Sequence, residues 1–511
     1  MKKLSVCLVM FILLLSGCRF AQPTKADIEI QLADDKITVD GKEISGDKTQ
    51  AIYAAKDIVF YLADQGFTYG EGEKQDEHEQ TEADAHTVVH ITKPGRYVVS
   101  GKLSLGQIAV DLGDDAETDP EAVVTLVLNG VDITCKVAPA VIFYNVYECS
   151  DSDEETATKD VDTSGAGANV IIADGTENNI DGSYVAKIYK SYELSEDGKE
   201  VTESEKLHKY DAAFYSKRTM NINGGEKGDG LLNIKAENEG LDSELHLTIN
   251  GGIINITSGN DGINTNEDNV SVTTINNGTL NILCDGSTGE GDGIDSNGWL
   301  VINGGTVIAQ ACATSGDAGI DSDKGIYLEG GKVIASGNML DRIAGGNQTY
   351  AIFNFATRQN GNSTYTLKNS KNEVVGEYAP VNAFTCLIVA GDELSPGDYT
   401  FWQGDTQLTA NQAKNMQGQM PPGERPQMPN GEQNKQGTPP EIPEGMERPE
   451  KPNGERPPMP NGETAQGERP QMPEGITPPE DTGSNMTPNG ETSTTFTIVK
   501  GANQFANVTA V

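Results

Sequence analysis

Short apolar runs separated by glycine-rich turns dominate the middle of this chain, and they recur at a fixed interval. Asn-Gly-Gly-like turns fall at Asn223-Gly224-Gly225, Asn250-Gly251-Gly252, Asn276-Asn277-Gly278, Asn303-Gly304-Gly305 and Glu329-Gly330-Gly331. Their first positions step by 27, 26, 27 and 26 residues. A β-rich run precedes each turn (MNI, LTI, TTI, LVI, YL), and at four of the five another begins at once (IINIT, TLNIL, TVIAQ, KVIAS). The Asn223 turn delays its second run to LLNIK at 231–235. Between the turns lies a second motif: Gly240-Leu241-Asp242-Ser243, Gly262-Ile263-Asn264-Thr265, Gly293-Ile294-Asp295-Ser296 and Gly319-Ile320-Asp321-Ser322. A degenerate predecessor, Ala213-Phe214-Tyr215-Ser216, stands 27 residues before Gly240. Each repeat thus predicts three short strands, and no 3.6-residue periodicity competes.

A unit this small cannot bury a core alone, so the repeats must stack. Three strands per repeat predict a right-handed parallel β-helix, in which inward Ile, Leu and Val of successive coils lie about 4.8 Å apart. A propeller blade would need roughly 40–45 residues. Less regular coils are readable upstream in HTVVHI, GRYVVSGKL, GQIAVDL, AVVTLVLNGVDI, APAVIFY and ANVIIADGTENNI. Residues 50–64 (QAIYAAKDIVFYLAD) are the one expected helix, placed in an N-terminal cap.

From 412 to 493 the composition turns to Pro, Gly, Glu, Met, Asn and Gln, without the glycine period of collagen, which predicts a disordered insertion. Residues 494–511 return to strand-like composition and are expected as a closing strand after the pair TCLIVAG and DYTFWQG. The expected organisation is a leader at 1–17, a tether and cap at 18–84, the β-helix at 85–345, cap strands at 346–411, the insertion and the closing strand.

The leader has Lys2 and Lys3, an apolar stretch over 4–15 too short to span a bilayer, and the lipobox Leu15-Ser16-Gly17-Cys18. Cys18 is therefore the expected lipidation site, with the mature protein held outside the cytoplasm on a membrane. After Cys7 and Cys18, an odd set remains: Cys135, Cys149, Cys284, Cys312 and Cys386. That argues against a disulfide framework. Cys284 and Cys312 are expected as stacked small interior residues. Five histidines without metal-ligand spacing make zinc chemistry a poor fit.

Charge narrows the partners. A formal net charge of −40, from 37 basic against 77 acidic residues, excludes a nucleic-acid footprint. It would also repel an acidic polysaccharide unless metal ions bridge the two. The repeat motif stacks Asp242, Asp295 and Asp321 at one position, with Asn264 interrupting them, and sets Glu239, Asp261 and Asp292 before the glycine. Asp317, Asp323, Glu267 and Asp268 crowd the same edge. Like charges one coil apart repel unless a cation intervenes, and carboxylates mixed with amide oxygens are what Ca²⁺ takes. Asp242, Asp261, Asn264, Asp292, Asp295, Asp317, Asp321 and Asp323 are thus candidate Ca²⁺ ligands; the alternative is that Asp and Asn merely satisfy tight turns.

LVLNGVDI…VIIADGTENNIDGS, AAFYSKRTMNING, DGINTNEDNV and EGDGIDSNGWLVINGG occur in the order that resembles a bacterial carbohydrate-binding family first recognised in clostridia, over about residues 85–400. The resemblance implies a pectate-lyase-like fold and binding of cellulose or acidic sugars such as polygalacturonate, with calcium. Three functions stay open: a monomeric polysaccharide-binding lipoprotein, a lyase, and a structural or adhesive surface protein. A lyase needs Ca²⁺ and a basic residue; Lys217, Arg218, Lys227, Lys324, Lys332 and Arg342 are the cations near the repeats, and the RxPxxR-type pattern of pectate lyases is absent there. Sugar faces stack on exposed aromatic rings. Trp299, Tyr327 and Tyr215 are the candidate platforms, with Lys217 and Arg218 beside them, although each ring could equally pack on a neighbouring coil.

Overall fold

The computed structural model describes residues 27–58, 80–185, 189–194, 201–206, 210–412 and 492–511. The expected leader with Cys18, residues 59–64 of the expected helix and nearly all of the Pro-rich segment lie outside those residues. Within them the chain is all-β, in mixed sheets of 27, seven and two strands.

Three parallel ladders organise residues 85–345. The first runs through Gly95–Leu103, Val124–Thr134, Ala168–Ile172, Met220–Gly224, His246–Ile249, Val272–Ile275, Trp299–Ile302 and Gly325–Leu328. The second takes Glu177–Gly182, Leu231–Ala236, Ile253–Ser258, Thr279–Cys284, Thr306–Gln310 and Lys332–Gly337. The third takes Thr87–Ile91, Gly106–Asp111, Val141–Asn145, Ala212–Ser216, Glu239–Ser243 and Ile263–Thr265. The step of the sequence repeat is the step between register partners: Met220, Leu247, Thr273, Leu300 and Ile326 align in the first ladder.

Each ladder contributes a buried column to one core. Leu126, Val170, Ile222, Ile249, Ile275, Ile302 and Leu328 form one, and Leu232, Ile254, Leu280, Val307 and Val333 another. Period-two alternation puts every second residue inside, as the burial of Ile253–Ser258 and Thr279–Cys284 records. The turns between the first and second ladders need a left-handed residue, and Gly252, Gly278, Gly305 and Gly331 supply it at φ 94°, 109°, 78° and 82°. In the Asn223 turn the left-handed residue is Gly228, later in the chain, which is why its second run starts late.

Antiparallel strands end the stack. Ile52–Ala55 pairs with Thr87–Ile91, and Phe384–Ala390 pairs with the last parallel strand, Lys332–Gly337. The helix expected at 50–64 is therefore corrected where it is described: an open sheet edge offers hydrogen bonds that outweigh local helix propensity. After the Pro-rich segment the chain forms Thr492–Ser493, Phe496–Ile498 and Ala502–Ala510, the last parallel to Tyr350–Gln359 and antiparallel to Thr406–Gln412. Beneath it lies a second core built on stacked rings, with Phe353 4.3 Å from Phe401 and 5.3 Å from Phe505.

Cys284 and Cys312 are free and buried. They do not stack on each other, because Leu283 pairs with Gln310 and so sets Ala311 opposite Cys284. The neighbour of Cys284 on the other side is Ser258, with the sulfur 3.6 Å from its hydroxyl.

Leu280 sits in the middle of its column, between Ile254 and Val307, with no exposed surface. Leu280→Ala should cost about 2–5 kcal/mol through lost contacts and a residual void, read as a lower urea midpoint with the parent's slope.

Candidate functional site: an acidic column

On the third ladder, Phe214, Leu241 and Ile263 point into the core, and the next residue of each strand lies in an adjacent column. That column runs Ile142, Tyr215, Asp242, Asn264. A bridge from Ile263 to Ile294 continues it. The amides of Asp295 and Asp321 donate to the carbonyls of Ile263 and Ile294 at 2.8 and 2.7 Å, carrying the same alignment on to those two residues. The expected stack of Asp242, Asp295 and Asp321 interrupted by Asn264 is present as a geometric fact.

Two groups form along it. In the first, Glu239, Asp242 and Asn264 are all buried. The Asn264 amide donates to Glu239 Oε1 at 3.1 Å, and the Asn266 amide donates to Asp242 Oδ1 at 2.9 Å. Glu239 Oε2, Asp242 Oδ2 and Asn264 Oδ1 are buried with no hydrogen-bond donor among the described residues. Asp211 and Glu244 lie close enough to act electrostatically on both carboxylates. In the second group, Asp292, Asp295 and Asp321 each bring one carboxylate oxygen within 4.8 Å of the others. Asp261 stands between the groups, its Oδ1 accepting the Asp292 amide at 2.6 Å.

Burial is the largest force on these groups, and their neighbours add to it. Glu239 is pushed well above the usual carboxylate range by burial and then by Asp211; Asp242 by burial and then by Glu239, Glu244 and Asp211. Asp261 rises by burial and Glu239, and Asp292 by burial, Asp261, Asp295 and Asp321. No lysine or arginine among the described residues forms an ion pair with Glu239, Asp242, Asp261 or Asp292. Each carboxylate must therefore hold a proton or share a cation.

Other expected site residues fall elsewhere. Asp317 accepts the Gly291 amide at 2.6 Å and the Ser315 hydroxyl, and Asp323 is exposed; neither belongs to the set of three. Tyr215 is corrected as a sugar platform: it is fully buried, donates its hydroxyl to Glu244 and meets Tyr210 edge-on at 4.8 Å. Its place in the same column as Asp242 is what carries it inside. Trp299 and Tyr327 are half-buried, with Lys324 5.6 Å and Lys159 5.1 Å from their rings. Lys217 lies over the Tyr144 ring at 4.4 Å, and Arg218 pairs with Glu117. Lys324 and Lys332 reach Glu154 at 3.8 Å and Glu393 at 3.6 Å. Asp211 and Glu244 escaped the sequence reading. A signal existed for Glu244, since the position after each Gly-x-Asp-Ser-like motif is polar in every repeat: Glu244, Asn266, Asn297 and Asp323.

A family model and a curated relative carry the same description. Residues 85–377 match the family described as "Carbohydrate-binding domain-containing protein". A curated protein of that description from Acetivibrio thermocellus is 32% identical over 170 residues, which is 33% of this chain. The chain spans 44% of that relative's own length. A solved structure titled "polysaccharide lyase-like protein from C. thermocellum, Gadolinium derivative" is 19% identical, covering 63% of this chain and 93% of its own, with a TM-score of 0.34, too low to argue from. The family match spans more than half of the 511 residues, and the chain belongs to the carbohydrate-binding domain family.

Proposed function

We propose that this protein is a surface-exported, lipid-anchored, non-catalytic polysaccharide-binding protein, assisted by Ca²⁺, whose three ladders are the faces of a right-handed parallel β-helix over residues 85–345. Family membership supports the carbohydrate. The observation that carries the metal is the orphaned trio, Glu239 Oε2, Asp242 Oδ2 and Asn264 Oδ1, because buried oxygens without donors are costly unless a cation takes them. The set contains only hard oxygen donors and fits Ca²⁺, not a metal that seeks sulfur or imidazole. Glu239, Asp242 and Asn264 would hold one ion, and Asp292, Asp295 and Asp321 a second. The ion supplies the positive charge that lets these carboxylates ionise together. Cys18 and the leader support the anchor.

Without metal, the folded protein holds protons on these carboxylates that the unfolded chain releases, because burial has raised their folded affinity above the ordinary range. Stability must then fall as pH rises, the reverse of the usual carboxylate slope. In EDTA, Tm should drop between about pH 5 and about pH 8, and millimolar Ca²⁺ should flatten that slope. Equal Tm in EDTA and Ca²⁺ at the higher pH would sink the metal.

Glu239→Gln and Asp242→Asn imitate the protonated carboxyls. Each should raise Tm in EDTA at neutral pH and weaken Ca²⁺ binding, measured by calorimetry, at least tenfold (roughly the coupling of one lost charged ligand). A rise in Tm without loss of Ca²⁺ affinity would place the ion elsewhere. Glycan arrays and affinity gels test the carbohydrate. Retention without shortening of the polymer is expected; accumulation of unsaturated product from polygalacturonate would establish the lyase, and retention by no glycan the adhesive protein.

A further inference from the structure

The outer side of the first ladder carries a cleft of about 950 Å³, walled by Lys159–Ser164. Its floor edge is an amide ladder. Asn250 Nδ2 donates to Asn223 Oδ1 at 3.0 Å, Asn276 Nδ2 to Asn250 Oδ1 at 2.8 Å, and Asn303 Nδ2 to Asn276 Oδ1 at 2.8 Å. These are the first residues of the turns that define the repeat, so the sequence period itself builds the ladder. A primary amide has two N–H groups and two acceptor lone pairs. The ladder uses one of each on Asn250 and Asn276, which leaves a donor and a lone pair on each exposed amide. Three exposed amides and the half-buried Asn223, whose Nδ2 also donates to the Val170 carbonyl at 3.3 Å, lie one strand spacing apart and extend over roughly 14 Å, with the ladder bonds all pointing the same way along the stack.

The wall is fixed to the floor. Thr163 is buried, and its hydroxyl lies 2.8 Å from both Asn221 Oδ1 and Thr248 Oγ1, while its carbonyl accepts from Asn221 Nδ2 at 2.8 Å. Three bonds from one residue hold the cleft open without a ligand, so little ordering is needed on binding. Lys159 is occupied by Asp160 at 2.6 Å and by the Tyr327 ring. Asp160, Asp162 and Glu329 therefore leave the lining net negative.

We infer that this cleft binds a linear, uncharged polysaccharide laid lengthwise along Asn223, Asn250, Asn276 and Asn303. This rests on the carbohydrate-binding reading and narrows it. Exposed amides at a spacing close to one sugar of an extended glycan meet hydroxyls as both donors and acceptors at every step. Uronates are disfavoured here, since their carboxylates would face Asp162 and Glu329 in a cleft whose lysine is already neutralised. The cleft stands apart from the acidic column, which is on the third ladder, so binding in it is independent of metal.

The test uses the whole protein and calorimetry with uncharged linear β-linked gluco-oligosaccharides of increasing length, in EDTA, beside polygalacturonate. Affinity for the uncharged series should rise with length and level off once the four amides are covered, and should be insensitive to salt and to Ca²⁺. Asn250→Ala with Asn276→Ala should weaken it by roughly tenfold or more, with Tm checked to show that the fold is kept. A double variant that binds as well as the parent overturns the cleft and leaves the carbohydrate-binding reading intact. Binding of polygalacturonate alone, and only with Ca²⁺, does the same. A parent that binds no glycan of either kind overturns both. Thr163→Val, which removes the hydroxyl from the wall, should lower affinity for the longest oligosaccharides while leaving Ca²⁺ binding unchanged; a matching loss of Ca²⁺ affinity would show general disruption.

Discussion

Parallel stacking in register places each residue of a repeat beside its own counterpart in the next, about 4.8 Å away, and every feature of this protein follows from what like does to like at that distance. Ile, Leu and Val gain by it, and their columns make the core. Asn gains too, because an amide carries its own donor and acceptor and can hand a hydrogen bond from one turn to the next, as Asn223, Asn250, Asn276 and Asn303 do. Carboxylates lose. In a column containing Asp242, Asp295 and Asp321, and beside it at Asp261 and Asp292, the repeat works against itself, so it is where a proton, an amide or a cation has to be recruited.

Asn264 shows the first remedy. It occupies the register position between Asp242 and Asp295, where a carboxylate would make four in a row, and turns its amide to Glu239. One neutral residue relieves repulsion within the column but cannot serve the flanking Glu239, Asp211 and Glu244, which bring further charge from the side. The interruption thus divides the acids into two groups without discharging either.

The glycine turns and their spacing made the ladders and their register legible, and alternation within each run identified the interior residues. Burial of the outward column was not legible. Period-two reasoning puts Tyr215 and Asp242 on the side away from the core, yet both are fully covered; Tyr210, from a less regular stretch, packs edge-on against Tyr215, and Glu244 accepts its hydroxyl. Such cover depends on long-range packing that no local pattern encodes. The same blindness misplaced the stretch at 50–64, where four residues became a strand: an unpaired ladder edge is a tertiary object, and its pull on Ile52–Ala55 cannot be seen from those four residues. It also hid the ring-rich second core, whose aromatics come from strands more than a hundred residues apart.

One stack presents two chemistries on different ladders. The acidic column concentrates negative charge in a buried setting, where the low dielectric strengthens attraction to a cation and repulsion of a uronate alike. The amide ladder is exposed and individually uncharged. A net charge of −40 would keep a polyanion away from the whole surface unless cations were bound first, but places no such condition on a neutral chain. Metal and glycan therefore need not compete for one site, nor need the metal touch the sugar: the carboxylates that call for a cation lie on the third ladder, and the amides that meet hydroxyls lie on the first.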